Sequence, residues 1–209
     1  VSQNLYFPVS DVPGGARHVL NAIVAPRAIA WVSSVGADGT LNLAPHSYTT
    51  VFSTNPPIVG FVSTGEKDTL RNVRHSGEFT YNVVSDELLD SMNLTSADFP
   101  PEISEFSWAE LTPLPGTEVS APRVGESPVA MECRVIQVTR VPGARSWLVL
   151  GEVVAVHIDE RVWVNERIDL EAVRPLARLG GSDYARFGEI TNLKRPVYAD
   201  LVAGPTGSE

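Results

Sequence analysis

Short apolar or alternating runs, broken every few residues by Gly, Pro, Asn or Asp, dominate this chain. Ala28–Val35 is a near-continuous apolar run and predicts a buried strand. Gly36-Ala37-Asp38-Gly39 then reads as a hairpin turn, because its glycines supply positive φ, and Thr40–Leu43 returns. Ser47–Ser53, rich in Tyr, Thr, Val and Phe, favours strand until Asn55-Pro56-Pro57 stops it. Ile58–Val62 is a further short apolar run. The period then changes. Leu70 and Val73 give Lys67–Ser76 a helical stripe, with Gly77 as its C-terminal stop. Glu78–Val84 alternates as a strand, and Ser85–Met92 reads as a short helix with Ser85 at its N-cap and Asp86 and Glu87 in the first turn.

Residues 1–25 read as an irregular arm broken by Pro8, Pro13, Gly14 and Gly15. Residues 93–127 form a Pro-rich, acidic irregular insertion, the kind of loop that serves as lid or interface. Two long β-branched strands follow, Val129–Val141 and Ser146–Ile158, joined at Pro142-Gly143. A short helix over Leu170–Leu179 and a Gly-rich tail complete residues 166–209. Many short strands with hairpin rhythm predict a mainly β antiparallel barrel carrying a few small helices, with one domain over 26–165.

Composition narrows the partners. With 209 residues, 43% hydrophobic and 20% charged, the chain is long enough for one real core. A net charge of −9 argues against nucleic acid and anionic membrane surfaces, which need a basic footprint. No apolar run approaches a membrane span, and the first residues lack a basic leader with an apolar core, so the expectation is a cytoplasmic protein without a signal peptide. The single cysteine, Cys133, excludes an intrachain disulfide and reads as a small buried hydrophobe. No histidine, cysteine or carboxylate spacing suggests a metal site.

Candidate chemistry concentrates between Asn42 and Thr69. Ser63-Thr64-Gly65-Glu66-Lys67-Asp68-Thr69 leaves a strand and opens a helix, whose first NH groups lack internal partners and favour anions. Gly65 permits close backbone approach, Ser63, Thr64 and Thr69 offer hydroxyls, and Lys67 and Arg71 share a helical face. Only Lys67 and Lys194 are lysines among 16 basic residues. The same segment also reads as an ordinary capped surface helix. Asn42-Leu43-Ala44-Pro45-His46-Ser47 offers hydrogen bonds to a heteroaromatic edge and a thin wall for stacking, or else a plain turn. Arg178-Leu179-Gly180-Gly181-Ser182-Asp183-Tyr184 places two glycines between an arginine and a tyrosine, as a ligand-contacting loop or a helix end.

Seven motifs in order, over roughly residues 6–198, resemble the flavin reductase-like family of FMN-binding split barrels. They are Pro26–Ser33, Asn42–Ser47, Asn55-Pro56-Pro57, Lys67–Asn72, Gly77–Asn82, Gly151–Val154 and Arg178–Tyr184. The resemblance implies a six-stranded Greek-key-like barrel and a homodimer with one flavin per subunit at its interface. That flavin is FMN in preference to FAD, with NADH or NADPH as electron donor. It implies that Asn42, Ala44, Pro45, His46 and Ser47 border the isoalloxazine and that Ser63, Thr64, Lys67, Asp68 and Thr69 hold the phosphate. Arg27, Ser33, Asn82, Arg178 and Tyr184 are expected as further flavin contacts through the motifs that contain them.

The implied activity is hydride transfer from NAD(P)H to flavin N5, supplying reduced flavin to a separate monooxygenase. Two departures open alternatives. Where family reductases carry a histidine before the G-E-V strand, this chain has Arg145-Ser146-Trp147, so Trp147 becomes a candidate for stacking on nicotinamide or another substrate. His46 stands at an often aromatic position, which makes it, with Ser47, a candidate for proton handling. An FMN enzyme acting directly on an organic substrate, a non-enzymatic electron carrier and a flavin-free β-barrel interaction module are the competing readings.

Overall fold

The computed structural model describes residues 4–198. Its centre is one antiparallel seven-stranded sheet. The strands are β1 (Ala30–Val35), β2 (Leu41–His46), β3 (Thr49–Thr54), β4 (Pro57–Thr64), β5 (Glu78–Val83), β6 (Val129–Arg140) and β7 (Ser146–Ile158), in the order β2-β1-β5-β6-β7-β4-β3. The two edge strands are neighbours in sequence, linked only through Ser47 and Tyr48, so the sheet curls until its edges meet. The His46 ring, ending β2, lies 4.6 Å from the Phe61 ring of β4. This is the mainly β split barrel expected, with seven strands in its sheet rather than six.

Strand parity divides the core. From β1, Ala30 and Val32 join Phe61, Phe79, Cys133 and Val149 in one apolar cluster. Ile29 and Trp31 face the other way, into a cluster with Leu43, Met92, Phe106 and Leu176. Because both faces of β1 are covered, its residues read as a continuous run rather than an alternation. Full burial of a side chain such as Phe79 contributes about 1.5–3 kcal/mol. A Cβ on Gly151 would stand 2.5 Å from the Phe79 ring, so the glycine of the Gly-Glu-Val-Val motif lets that ring pack directly against the strand.

Helix α2 (Asp68–Ser76) starts after Lys67 and stops at Gly77, whose φ of 70° fits a left-handed cap. Leu70 and Val73 insert into the barrel cluster. Three expectations change. The arm is not wholly irregular: Gly15–Ile23 is helix α1, its stripe of Val19, Leu20 and Ile23 outweighing the preceding Pro and Gly. The 93–127 insertion carries a one-turn helix over Glu105–Trp108 and a two-stranded ribbon of Pro113–Leu114 with Arg123–Val124. The expected helix over Leu170–Leu179 shrinks to one turn, Leu170–Val173, because Arg174 turns left-handed before Pro175. Ala177–Arg178 then pairs with Tyr184–Ala185. The expected Gly-rich tail beyond residue 198 lies outside the described residues. No helix among the described residues is long and apolar enough to cross a membrane.

Candidate functional site

Two joined cavities occupy one side of the barrel. The smaller, 280 Å³, lies over the start of α2 and is closed by the loop Ser96–Phe99. The larger, 920 Å³, runs from Pro45 towards α1 on one side and Arg178–Tyr184 on the other. Pro45, His46, Thr64 and Ser96 line both, so the two form one groove with a narrow and a wide end.

The narrow end is built by the strand-to-helix turn. Lys67 occupies the N-cap in extended conformation, and no side chain caps the first NH groups of α2. Gly65 takes φ 104°, and the space beside it is open, since a Cβ there would meet only Lys67 Cγ at 4.0 Å. Thr69 Oγ1 accepts from Asn42 Nδ2 at 3.2 Å and sits 3.4 Å from His46 Nε2. Ser63 donates to the Gly65 carbonyl at 3.0 Å, which shapes the turn. Lys67 Nζ reaches Asp98 Oδ1 at 2.6 Å across the mouth. Arg71 pairs with Asp68, and Arg74 lies 3.1 Å from Glu66. Glu105, buried beneath, accepts from the Leu43 NH at 2.9 Å, and burial pushes its pKa up.

At the junction, burial drives the pKa of His46 down to about 4, and the nearby Lys67 charge adds to the shift. The ring is therefore neutral near pH 7 and offers one donor and one acceptor. The wide end carries Arg17, His18, Arg27 and Arg178 and not one carboxylate among its lining residues, in a chain with 25 Asp and Glu. The Arg27 guanidinium donates to the carbonyls of Asn21 at 2.7 Å, Val24 at 2.6 Å and Leu179 at 2.7 Å, clamping α1 to the tail. Arg178 lies 4.4 Å over the Tyr184 ring.

The structure therefore brings together Arg27, Asn42, Ala44, Pro45, His46, Ser47, Ser63, Thr64, Lys67, Asp68, Thr69, Arg178 and Tyr184 along one groove. It does not bring in Ser33, Asn82 or Trp147. Ser33 is fully buried and bonds to the Pro122 carbonyl, and Asn82, also fully buried, donates to the Trp31 carbonyl at 2.9 Å and accepts from the Val124 NH at 2.8 Å. Both tie the insertion to the barrel. Trp147 lies between Arg74 and Arg140, at 5.4 and 5.8 Å, and packs on the barrel cluster. Strand parity turns its neighbour Ser146 into the groove instead.

Sequence reasoning missed the wall formed by α1. Tyr48, which donates to Asn21 Oδ1 at 2.6 Å, carried the available signal, an aromatic set among hydroxyls at a strand start. Cys133 is buried, and burial raises its pKa to about 12, as suits a packing residue.

A profile of the flavin reductase like domain matches residues 24–169. The chain belongs to the flavin reductase-like family. A protein of Aquifex aeolicus described only as uncharacterized is 37% identical over 191 residues, covering 88% of this chain and 96% of its own. Among solved structures, nitrilotriacetate monooxygenase component B from Bacillus cereus superposes with a TM-score of 0.87 at 31% identity, covering 92% of this chain and 100% of that one. The 2-nitrobenzoate 2-nitroreductase of Pseudomonas fluorescens gives 0.79 at 29% identity, over 87% and 90%. Membership assigns the chain to flavin-related oxidoreductases of the split-barrel type.

Proposed function

We propose that the groove holds FMN, its phosphate at the start of α2 and its ring system along Pro45–Ser47. The observation that carries this reading is the joined shape: a narrow polar end at an uncapped helix N-terminus opening into a wide end at His46. The residues fit the group. The α2 NH groups, Thr64, Thr69 and Lys67 would take the phosphate, where helix dipole and ammonium favour anions. Ala44 and Pro45 give the ring a thin wall, and Ser47 and Asn42 offer polar contacts at its margin. FMN rather than FAD is supported by the modest size of the phosphate end, 280 Å³.

The protein acts as a flavin-dependent oxidoreductase reduced by NADH or NADPH. Bound flavin supplies a two-electron acceptor that takes hydride. This chain's own residues orient the reactants and hold water away from them. The carboxylate-free wide end supports an anionic second reactant, as the pyrophosphate of a nicotinamide dinucleotide is. Neutral His46 acts as a hydrogen-bonding wall rather than as an acid. Reduced flavin would pass to a separate oxygenase, a reading supported by the likeness to a monooxygenase component B.

On this reading the chain divides into an arm over 1–25, a barrel domain over 26–165 and a tail over 166–209. A homodimer is supported by apolar side chains on α1 and the arm, with Tyr6 at 85%, Leu20 at 56% and Ile23 at 68% exposure. A second reading, direct reduction of an anionic organic substrate, is favoured by the 920 Å³ wide end and the nitroreductase likeness.

Anaerobic mixing of FMN-loaded protein with NADH, then NADPH, while following visible flavin absorption, tests the proposal. Rapid bleaching is expected. Persistent colour with both donors would overturn the nicotinamide step and favour the organic substrate.

A further inference from the structure

Every cation around the start of α2 already has a carboxylate. Arg71 is held by Asp68, Arg74 by Glu66, and Lys67 by Asp98. The first two pairs lie within the helix and the turn before it. The third crosses the cavity, from the helix to the loop that closes it.

That loop is fixed at both ends. Trp31 Nε1 donates to Thr95 Oγ1 at 2.9 Å in the core, and the Phe99 ring lies 5.9 Å from that of Trp108. Between these anchors the Asp98 side chain is 84% exposed and has Lys67 as its one ion-pair partner among the described residues. The Lys67 hydrogen bond also holds the Asp98 carboxyl below its usual pKa, so the loop presents a full negative charge at neutral pH.

We infer that Asp98 is an anionic latch on Lys67, occupying the ammonium in place of the ligand's phosphate and setting how tightly a phosphorylated flavin is held. The inference rests on the phosphate placement proposed above. A phosphate dianion reaching the α2 NH groups must take Lys67 from Asp98 and then lie close to that carboxylate. Both effects weaken the phosphorylated ligand, and neither touches the ring. The latch therefore makes the flavin exchangeable, as suits a reductase that releases its product.

The test is titration of FMN and riboflavin, followed by flavin fluorescence, against the full-length wild type and Asp98→Asn. Asparagine keeps the shape and removes the charge. FMN should bind about three- to tenfold tighter to the variant, while riboflavin, which lacks the phosphate, should change by less than about twofold. The FMN gain should shrink clearly in the Lys67→Ala background, where no ammonium is left to release and only the direct repulsion between carboxylate and phosphate remains. Unchanged or weaker FMN binding, an equal gain for riboflavin, or a gain undiminished by Lys67→Ala would each overturn the latch while leaving the flavin site standing. Wild-type protein that binds neither flavin would overturn the site itself, and the latch with it.

Discussion

The imidazole of His46 packs 4.6 Å from the ring of Phe61, tilted by 40°, where the edge strand β2 of the curled sheet comes round to β4. Its polar neighbours are the Thr69 hydroxyl and the Val62 backbone rather than a carboxylate, and the Val62 hydrogen bond repays only part of the cost of charging it there. A histidine held neutral down to about pH 4 cannot donate a proton as imidazolium near pH 7. Losing a true general acid costs about 10²–10⁴-fold in rate. His46→Phe, which keeps a ring against Phe61, should therefore lower flavin reduction by less than about tenfold. Stopped-flow reduction rates check this. NMR titration of the wild-type imidazole should show no midpoint between pH 5 and 8.

The same shift has a sign in stability. Between about pH 6.5 and 4 the unfolded chain protonates His46 and the folded one does not, so this contribution is lost as pH falls through that window. His46→Phe should flatten the slope of urea stability against pH there.

Glu132 gives a second, more acidic effect. Its carboxylate is fully buried, accepts from the NH groups of Thr117 at 2.7 Å and Val119 at 2.9 Å, and pairs with His157. Burial alone would raise its pKa, but these hydrogen bonds outweigh that and hold it below 4.5. A depressed folded pKa adds stability above the unfolded value and loses it as pH falls through the folded one. Glu132→Gln should cost about 3–5 kcal/mol at pH 7, because the charge is lost and its NH2 group would face NH donors where one carboxylate oxygen accepts from them. It should also remove part of the acid sensitivity below pH 4.5 seen in wild-type denaturation curves.

Trp147 and Ser146 separate packing from chemistry. Trp147→Ala should destabilise the protein, by about 3 kcal/mol if its cavity stays open, yet leave FMN affinity within about twofold. Ser146→Val should barely alter stability but change the KM for the nicotinamide donor, since Ser146 lines the wide end. Equilibrium denaturation and steady-state kinetics on both variants distinguish the two roles. A loss of FMN binding in Trp147→Ala would return that residue to the site.

Gly151→Ala should destabilise by about 1–3 kcal/mol through overpacking against Phe79. A matching shift of the urea midpoint without a change in slope would locate the effect in the native state.

Much of this architecture was legible in the chain. β1, β4, α2, β6 and β7 lie within a few residues of where periodicity and breakers put them, because Gly36–Gly39, Asn55–Pro57, Gly77 and Pro142-Gly143 mark their ends. The direction of side chains was not. β1 is covered on both faces, so no alternation revealed that Ser33 points inward, and Asn82 on β5 is likewise enclosed. At Ser146-Trp147 the larger, more reactive-looking residue drew the assignment, whereas strand parity sets the smaller one towards the groove. The wall made by α1 depends on Arg27 reaching Leu179, a contact across 152 positions that no local pattern encodes.

That contact has a further consequence. The family profile spans residues 24–169, while α1 and the Arg178–Tyr184 segment both fall outside it. On the proposed reading, the barrel and its strand-to-helix turn would supply the grip, and the two flanks, sewn together through Arg27, would supply the rim that a second reactant meets. Exchanging the two flanks as a matched pair, with the barrel left untouched, would then rewrite selectivity for that reactant.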